Sequence, residues 1–109
     1  MSLYAAQLLS DFPPVVVLIE RRDYKEAHED LTKLRRGLGT EVAESRHGAY
    51  ADMCLSRLHV SMKHLEDALN SGEAPAIFRH LSVTEQYHDC AVEAIPCVSK
   101  PFVRKIYVR

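Results

Sequence analysis

Two of the three cysteines occupy matching places in the two most regular helical segments of the chain. Cys54 lies near the start of the first segment, and Cys90 lies near the end of the second. In an antiparallel helical hairpin these two ends are neighbours, so a disulfide between Cys54 and Cys90 is geometrically reasonable. Two reduced thiols, buried as small apolar side chains, are the alternative. Cys97 follows Pro96 and is expected to be exposed, where it could react or pair with a second chain.

The six histidines do not form a metal-binding pattern. His59 and His64 are five residues apart, which places them on different faces of a helix, whereas helical zinc ligands are four apart. His80 and His88 could share a face but lie two turns apart, too far to bind one ion by themselves. Residues 88–90 read His-Asp-Cys, but consecutive helical residues point about 100° apart and cannot form a catalytic relay. We therefore predict no metal, no cofactor and no enzymatic activity.

Apolar residues recur at helical spacing in both segments. The steps are four, four, three and four in the first segment and four, three and four in the second, so each segment should bury one face. These positions are Cys54, Leu58, Met62, Leu65 and Leu69 in the first segment, and Val83, Tyr87, Cys90 and Ala94 in the second. Between them, Gly72 is typical of a helix end and Pro75 of a helix start.

A further amphipathic segment precedes this hairpin. Its apolar positions step by three, four, three and four, and they are Tyr24, Ala27, Leu31, Leu34 and Leu38. Gly37 and Gly39 are expected to end this helix. The run at 15–19 is β-branched and favours a strand by propensity, but Pro14 could begin a helix there, and we prefer the helix. Residues 2–10 could form a short helix.

Together these patterns predict an all-α protein, an antiparallel helical bundle with an extended C-terminal tail in a single domain over residues 1–109. The core helices are expected at about 14–38, 41–70 and 75–95. Residues 96–109 contain two prolines and a run of β-branched and aromatic residues, so they should form a strand or an extended arm. The arm could pack on the bundle, pair with the run at 15–19 or join another chain, and a dimer could form through this tail or through Cys97.

Composition and charge favour some classes of function and exclude others. A chain of 109 residues with 47% apolar and 27% charged residues is typical of a globular domain. A net charge of −1 gives no basis for nucleic-acid binding. No apolar run approaches the roughly 20 residues of a membrane span. The N-terminus shows no secretory signal pattern, so we expect either a cytoplasmic protein or a mature chain.

The cysteine-containing helices and the turn between them follow a known pattern. In the first helix the matching residues are Ala51, Cys54, Leu55, Leu58, Ser61, Met62, Leu65, Ala68 and Leu69. The turn is matched by Ser71, Gly72 and Glu73, and the second helix by Leu81, Ser82 and Cys90. Over residues 22–94 the chain thereby resembles the plant invertase and pectin methylesterase inhibitor family. It would be a shortened or divergent member, because residues 1–22 lack the family's first pair of cysteines.

The resemblance implies a secreted helical bundle with a disulfide between Cys54 and Cys90. It also implies a non-catalytic inhibitor that docks on a cell-wall carbohydrate-active enzyme, either an invertase or a pectin methylesterase. The invertase-inhibiting branch has a Pro-Lys-Phe segment after the turn, so we expect Pro75, Ile77 and Phe78 to contact the partner enzyme. Such a protein would be extracellular.

The alternative function is an intracellular helical module for protein–protein interaction. Residues 22–27 resemble the start of a tetratricopeptide helix, although no 34-residue recurrence follows. The oxidation state of the cysteines separates the two hypotheses, because stable disulfides are typical of secreted proteins.

Overall fold

The computed structural model describes residues 3–95, and the regular structure of this part is entirely α-helical. The helices are α1 (Leu3–Ser10), α2 (Phe12–Glu20), α3 (Tyr24–Glu44), α4 (Ala49–Ser71) and α5 (Ala74–Ala94). The prediction of an all-α bundle is confirmed, and the run at 15–19 lies in α2. The predicted extended tail and Cys97 lie outside the described residues.

The helices pack in an antiparallel bundle in which sequence neighbours are also neighbours in space. The most extensive packing joins α4 to α5, and α3 packs against α4. Helix α2 packs against α3, and α1 contacts both α3 and α5. A single residue, Asp11, separates α1 from α2, so these two short helices together take the place of one longer helix. The helix predicted over 14–38 is divided into α2 and α3.

Backbone conformation explains where several helices begin and end. Pro13 and Pro14 lie in the first turn of α2, where a backbone N–H is not needed. Arg22 and Ser45 adopt left-handed conformations after α2 and α3, with φ of 64° and 50°. Gly72 does the same after α4, with φ of 76°, and its N–H donates to the carbonyl of Ala68. The predicted end of this helix at Gly72 is thus confirmed.

The predicted helix end at Gly37 and Gly39 is wrong, because α3 continues to Glu44. Both glycines instead allow close approach between helices. A Cβ atom at Gly37 would lie 2.6 Å from the hydroxyl of Tyr4 in α1, and one at Gly39 would lie 3.1 Å from His59 Nε2 in α4. A side chain at Gly37 would require Tyr4 and Leu8 to shift, and one at Gly39 would require a small shift of the His59 ring.

The predicted inner faces of α3 and α4 are confirmed, except that Tyr24 is only partly buried, whereas α5 is rotated relative to the prediction. Buried residues include Ala27, Leu31, Leu34 and Leu38 of α3, and Cys54, Leu58, Met62, Leu65 and Leu69 of α4. On α5, Val83 is exposed, and Tyr87, Cys90 and Ala94 are only partly buried. The α5 residues that face the core are Ile77, Leu81, Thr84, His88, Ala91 and Val92, followed by Ile95 just after the helix.

Two polar side chains on the inner face of α5 are hydrogen-bonded within the core. Thr84 Oγ1 lies 2.6 Å from Ser61 Oγ of α4 and 2.7 Å from the carbonyl oxygen of His80. His88 Nε2 donates to the carbonyl oxygen of Leu9 at 2.6 Å and so connects α5 to α1. Because these groups have partners, α5 can bury them without leaving polar atoms unsatisfied.

Candidate functional site

The α4–α5 hairpin carries the residues that the sequence singled out as candidate site residues. Residue numbers rise along α4 as they fall along α5, as expected for an antiparallel pair. The contacts that define this register are Cys54 with Cys90, Ser61 with Thr84, and the stacked rings of His64 and His80, whose centroids lie 5.9 Å apart. The prediction that the two cysteines are neighbours is confirmed.

Cys54 and Cys90 are free thiols in this structure. Their sulfurs lie 2.7 Å apart, which is longer than the bond of about 2.05 Å in a disulfide. The hydroxyl of Tyr50 lies 3.4 Å from the sulfur of Cys90. The three groups form a compact cluster at one end of the hairpin, and the predicted Cys54–Cys90 bridge stays a prediction.

The cluster favours the protonated forms of Cys54 and Tyr50. Burial, reinforced by the neighbouring Cys90, raises the pKa of the Cys54 thiol to about 11. Hydrogen bonding to Cys90 and then to Cys54 raises the pKa of Tyr50 to about 12. At neutral pH both groups therefore keep their protons and can act as hydrogen-bond donors.

Exposed apolar side chains follow the outer surface of the hairpin beside this cluster. On α4 they are Tyr50, Met53 and Val60, which are 62%, 41% and 52% exposed, and on α5 the neighbouring residue is Val83, which is 40% exposed. We call these four residues the hairpin face. The α4 members recur at helical spacing, and Val60 and Val83 adjoin the Ser61–Thr84 contact. The four side chains therefore lie along the two helices of one hairpin, with the exposed Arg57 at the helical position between Met53 and Val60.

The three residues predicted to contact a partner lie at the other end of the hairpin, after the α4–α5 turn. Pro75 and Phe78 are exposed, and Pro75 is in the first turn of α5. Ile77 has no exposed surface and packs in the core, so the prediction of a partner contact is withdrawn for this residue. Each residue rotates the helix by about 100°, so Ile77 points about 160° away from Pro75 and about 100° away from Phe78, which is why the three side chains do not share one surface.

Sequence reasoning missed a partly buried ionic cluster between α3 and α4. Glu66 of α4 accepts hydrogen bonds from the Arg35 guanidinium and from Thr32 Oγ1, the latter at 2.8 Å. Nearby, burial and then the charge of Arg35 lower the pKa of His59. The only signal in the sequence is that Glu66 stands at a position of α4 where the periodicity would favour an apolar residue. Glu66 and Arg35 fix α4 against α3 and leave the hairpin face unobstructed.

Two shallow pockets adjoin the hairpin. One, of about 440 Å³, opens beside the cysteines and is lined by Tyr50, Gln86, Asp89, Cys90 and Glu93. The other, of about 310 Å³, lies between the first turns of α3 and the end of α4 and is lined by Tyr24, Lys25, His28, Glu29, Leu69 and Asn70. Within residues 3–95, no group of three or more potential ligands is arranged to hold a metal ion.

Comparisons with protein-family models, curated proteins and solved structures give no significant match. The resemblance to the invertase and pectin methylesterase inhibitors therefore stays a prediction based on the residues quoted above. In the part of the chain that the structure describes, no helix has the length and apolar character needed to cross a membrane.

Proposed function

We propose that this chain is a non-catalytic binding protein that docks on a target enzyme through the hairpin face. The observation that carries the proposal is the exposure of four large apolar side chains, Tyr50, Met53, Val60 and Val83, on the two helices of one hairpin. Exposed apolar side chains grouped on one part of a folded domain mark sites of protein contact more often than isolated ones do. The α4–α5 hairpin is the most extensively packed pair of helices, so this surface is presented by a rigid support.

The class of target comes from the resemblance. It points to a cell-wall carbohydrate-active enzyme, an invertase or a pectin methylesterase, whose active-site cleft would be covered by the helical surface. This role would place the chain outside the cell and would be compatible with a disulfide between Cys54 and Cys90. The partner would then be the enzyme itself, and inhibition would follow from steric exclusion of substrate.

The test is inhibition of purified invertase and pectin methylesterase by the wild-type chain and three double variants. Val60→Lys with Val83→Lys places charges on the hairpin face and should weaken inhibition by at least about tenfold, because buried unpaired charges oppose docking. Asn70→Lys with Ser82→Lys adds the same charge at exposed positions off this face and should leave inhibition unchanged. Circular dichroism verifies that each variant is folded.

The third variant, Pro75→Ala with Phe78→Ala, tests the site that the sequence predicted. If it alone abolishes inhibition, docking occurs at the turn end and the hairpin-face proposal is wrong. If the wild-type chain inhibits neither enzyme, the inhibitor function is wrong whichever surface is considered.

A second candidate function is an intracellular module for protein–protein interaction, in which Cys54 and Cys90, unbonded in this structure, would stay reduced. The two candidate functions can be distinguished by mass spectrometry. The chain is alkylated during isolation from its native cells, and its intact mass is then measured with and without reduction. A Cys54–Cys90 linkage supports the secreted inhibitor, whereas full alkylation of both residues supports the intracellular module.

A further inference from the structure

We propose that Cys54 and Cys90 form a redox-active dithiol in which Cys90 exchanges with small disulfides and Cys54 then completes the bridge. We further propose that Asp89 and Glu93 make this pair select cationic disulfides over anionic ones. This inference does not rest on the docking function, since it concerns only the thiol cluster and its adjoining pocket.

Accessibility distinguishes the two sulfurs. The side chain of Cys54 is buried, with 1% of its surface exposed, whereas Cys90 is partly exposed and lines the 440 Å³ pocket. A small disulfide entering this pocket meets the sulfur of Cys90 first. Cys54 can react only after the reagent has bonded to Cys90, whose sulfur lies 2.7 Å from the sulfur of Cys54.

Protonation leads to the same order of events. Thiolates, not thiols, attack disulfides, and burial raises the pKa of Cys54 to about 11, so this residue is almost wholly protonated at neutral pH. Tyr50 keeps its proton because its own pKa is raised to about 12. Its hydroxyl, 3.4 Å from the Cys90 sulfur, can therefore donate a hydrogen bond to a thiolate at Cys90.

The exchange proceeds in two balanced steps. The Cys90 thiolate attacks one sulfur of the disulfide RSSR, the S–S bond of the reagent breaks, and the released thiolate takes up a proton to give RSH. Cys54 then loses its proton and attacks the Cys90 sulfur of the mixed disulfide. This forms the Cys54–Cys90 bond and releases the second RSH. Overall, two protein thiols are oxidised by two electrons, and the small disulfide is reduced to two thiols.

The pocket beside Cys90 is acidic. Asp89 and Glu93 line it from α5, while Tyr50 and Gln86 contribute no formal charge at neutral pH. Asp89 also lies 3.8 Å from His88 Nδ1. Arg57 of α4 does not line this pocket, but its charge acts on Cys54 and offsets part of the negative charge near the sulfurs. The two carboxylates still favour a cationic reagent over an anionic one, and together they should change the ratio of the two rates by about tenfold at low ionic strength.

The experiment uses the full chain carrying Cys97→Ser, reduced and then mixed with one of three small disulfides of similar size. They are cystamine, which is cationic, 2-hydroxyethyl disulfide, which is neutral, and 3,3′-dithiodipropionate, which is anionic. Quenching with acid at successive times, followed by peptide mapping, identifies which cysteine carries the first adduct. We expect a transient mixed disulfide on Cys90, its conversion to a Cys54–Cys90 bridge, and reversal of that bridge by excess cysteamine.

Selectivity is measured as the ratio of the rate constants for cystamine and dithiodipropionate. We expect Asp89→Asn with Glu93→Gln to lower this ratio by about tenfold, and 0.5 M salt to lower the wild-type ratio in the same direction. Asp67→Asn with Glu73→Gln removes two exposed carboxylates outside the pocket and should change the ratio much less.

Three results would overturn the inference. A first adduct on Cys54 contradicts the assigned order, and a mixed disulfide that never resolves to the bridge contradicts the dithiol. A ratio that neither salt nor the pocket variant changes contradicts the role of the carboxylates. The salt titration uses the unaltered pocket, so the selectivity test stands even if that variant folds poorly.

Discussion

The buried contact between Ser61 and Thr84 predicts a measurable energetic coupling between α4 and α5. Thr84 has no exposed surface and Ser61 is 6% exposed, and their hydroxyl oxygens lie 2.6 Å apart. Thr84 donates its single proton to the carbonyl of His80 at 2.7 Å, so the Ser61 hydroxyl is the donor between the two side chains. Thr84 therefore keeps its hydrogen bond to His80 without Ser61, whereas the Ser61 hydroxyl loses its acceptor without Thr84.

The expected magnitudes follow from this pattern. Ser61→Ala removes one neutral hydrogen bond and leaves Thr84 bonded to His80, so it should cost about 1 kcal/mol. Thr84→Val keeps the shape of the side chain but leaves the buried Ser61 hydroxyl without its acceptor, and should cost about 2 kcal/mol. In the double variant no unsatisfied hydroxyl remains at the pair, so the loss should be about 1 kcal/mol smaller than the sum of the single losses.

Urea unfolding of the wild type, both single variants and the double variant under reducing conditions measures this coupling. Ser82→Ala, at an exposed position of α5, corrects for the higher helix propensity of alanine. Free-energy losses that add within about 0.3 kcal/mol would refute the hydrogen-bond assignment and leave the two hydroxyls as independent packing groups.

Two further predictions concern packing and pH. Helix propensity alone would make Gly37→Ala stabilising by about 1 kcal/mol. We expect no such gain, because the Cβ of the alanine would lie 2.9 Å from Leu8 Cδ2. Urea unfolding measures the change, and a full gain would contradict the close approach of α1. The pKa of the Cys54 thiol is about 11 in the folded chain, compared with a reference value of 9.0 for the unfolded chain. Above pH 9 the unfolded chain therefore releases this proton more readily than the folded chain does, and the free energy of unfolding should fall until about pH 11. Unfolding at pH 8 and 10.5 should show a larger loss for the reduced wild type than for Cys54→Ala, and equal losses would contradict the raised pKa.

Much of the bundle could be predicted from apolar periodicity alone. The inner face of α4 from Cys54 to Leu69 and that of α3 from Ala27 to Leu38 are buried as predicted. Both helices bury mainly apolar residues at these positions, so counting such residues at helical spacing finds the correct face. The short turn at Gly72 then brings Cys54 next to Cys90.

The prediction failed on α5 because two residues on its inner face are polar. Periodicity selected Val83 and Tyr87, whereas the buried face includes Thr84 and His88. The partners that make this burial favourable are Ser61 and the carbonyl of Leu9, which lie in other helices. A local pattern contains no information about such distant partners.

The two glycines of α3 were misassigned for a related reason. A glycine that ends a helix and a glycine that admits a neighbouring helix look the same in the sequence. Only the positions of Tyr4 and His59 show that Gly37 and Gly39 belong to the second type. The sequence pattern also places Val83 in the core, so it does not identify this residue as part of the hairpin face.

The hydrogen bond from His88 to Leu9 has a consequence for the order in which the chain folds. It joins residues that are 79 positions apart, whereas the most extensive helix contacts join elements adjacent in sequence. During synthesis α1 and α2 emerge first, but α5, which supplies one of the contacts that hold α1, emerges after the other four helices. Helices α3, α4 and α5 can associate through short loops, while closing the long loop to α1 carries a larger entropic cost. Helix α2 can dock early on the adjacent α3, whereas the α1–α5 contact should form late, and the apolar residues of α1 that face α5 stay accessible to chaperones until α5 is complete.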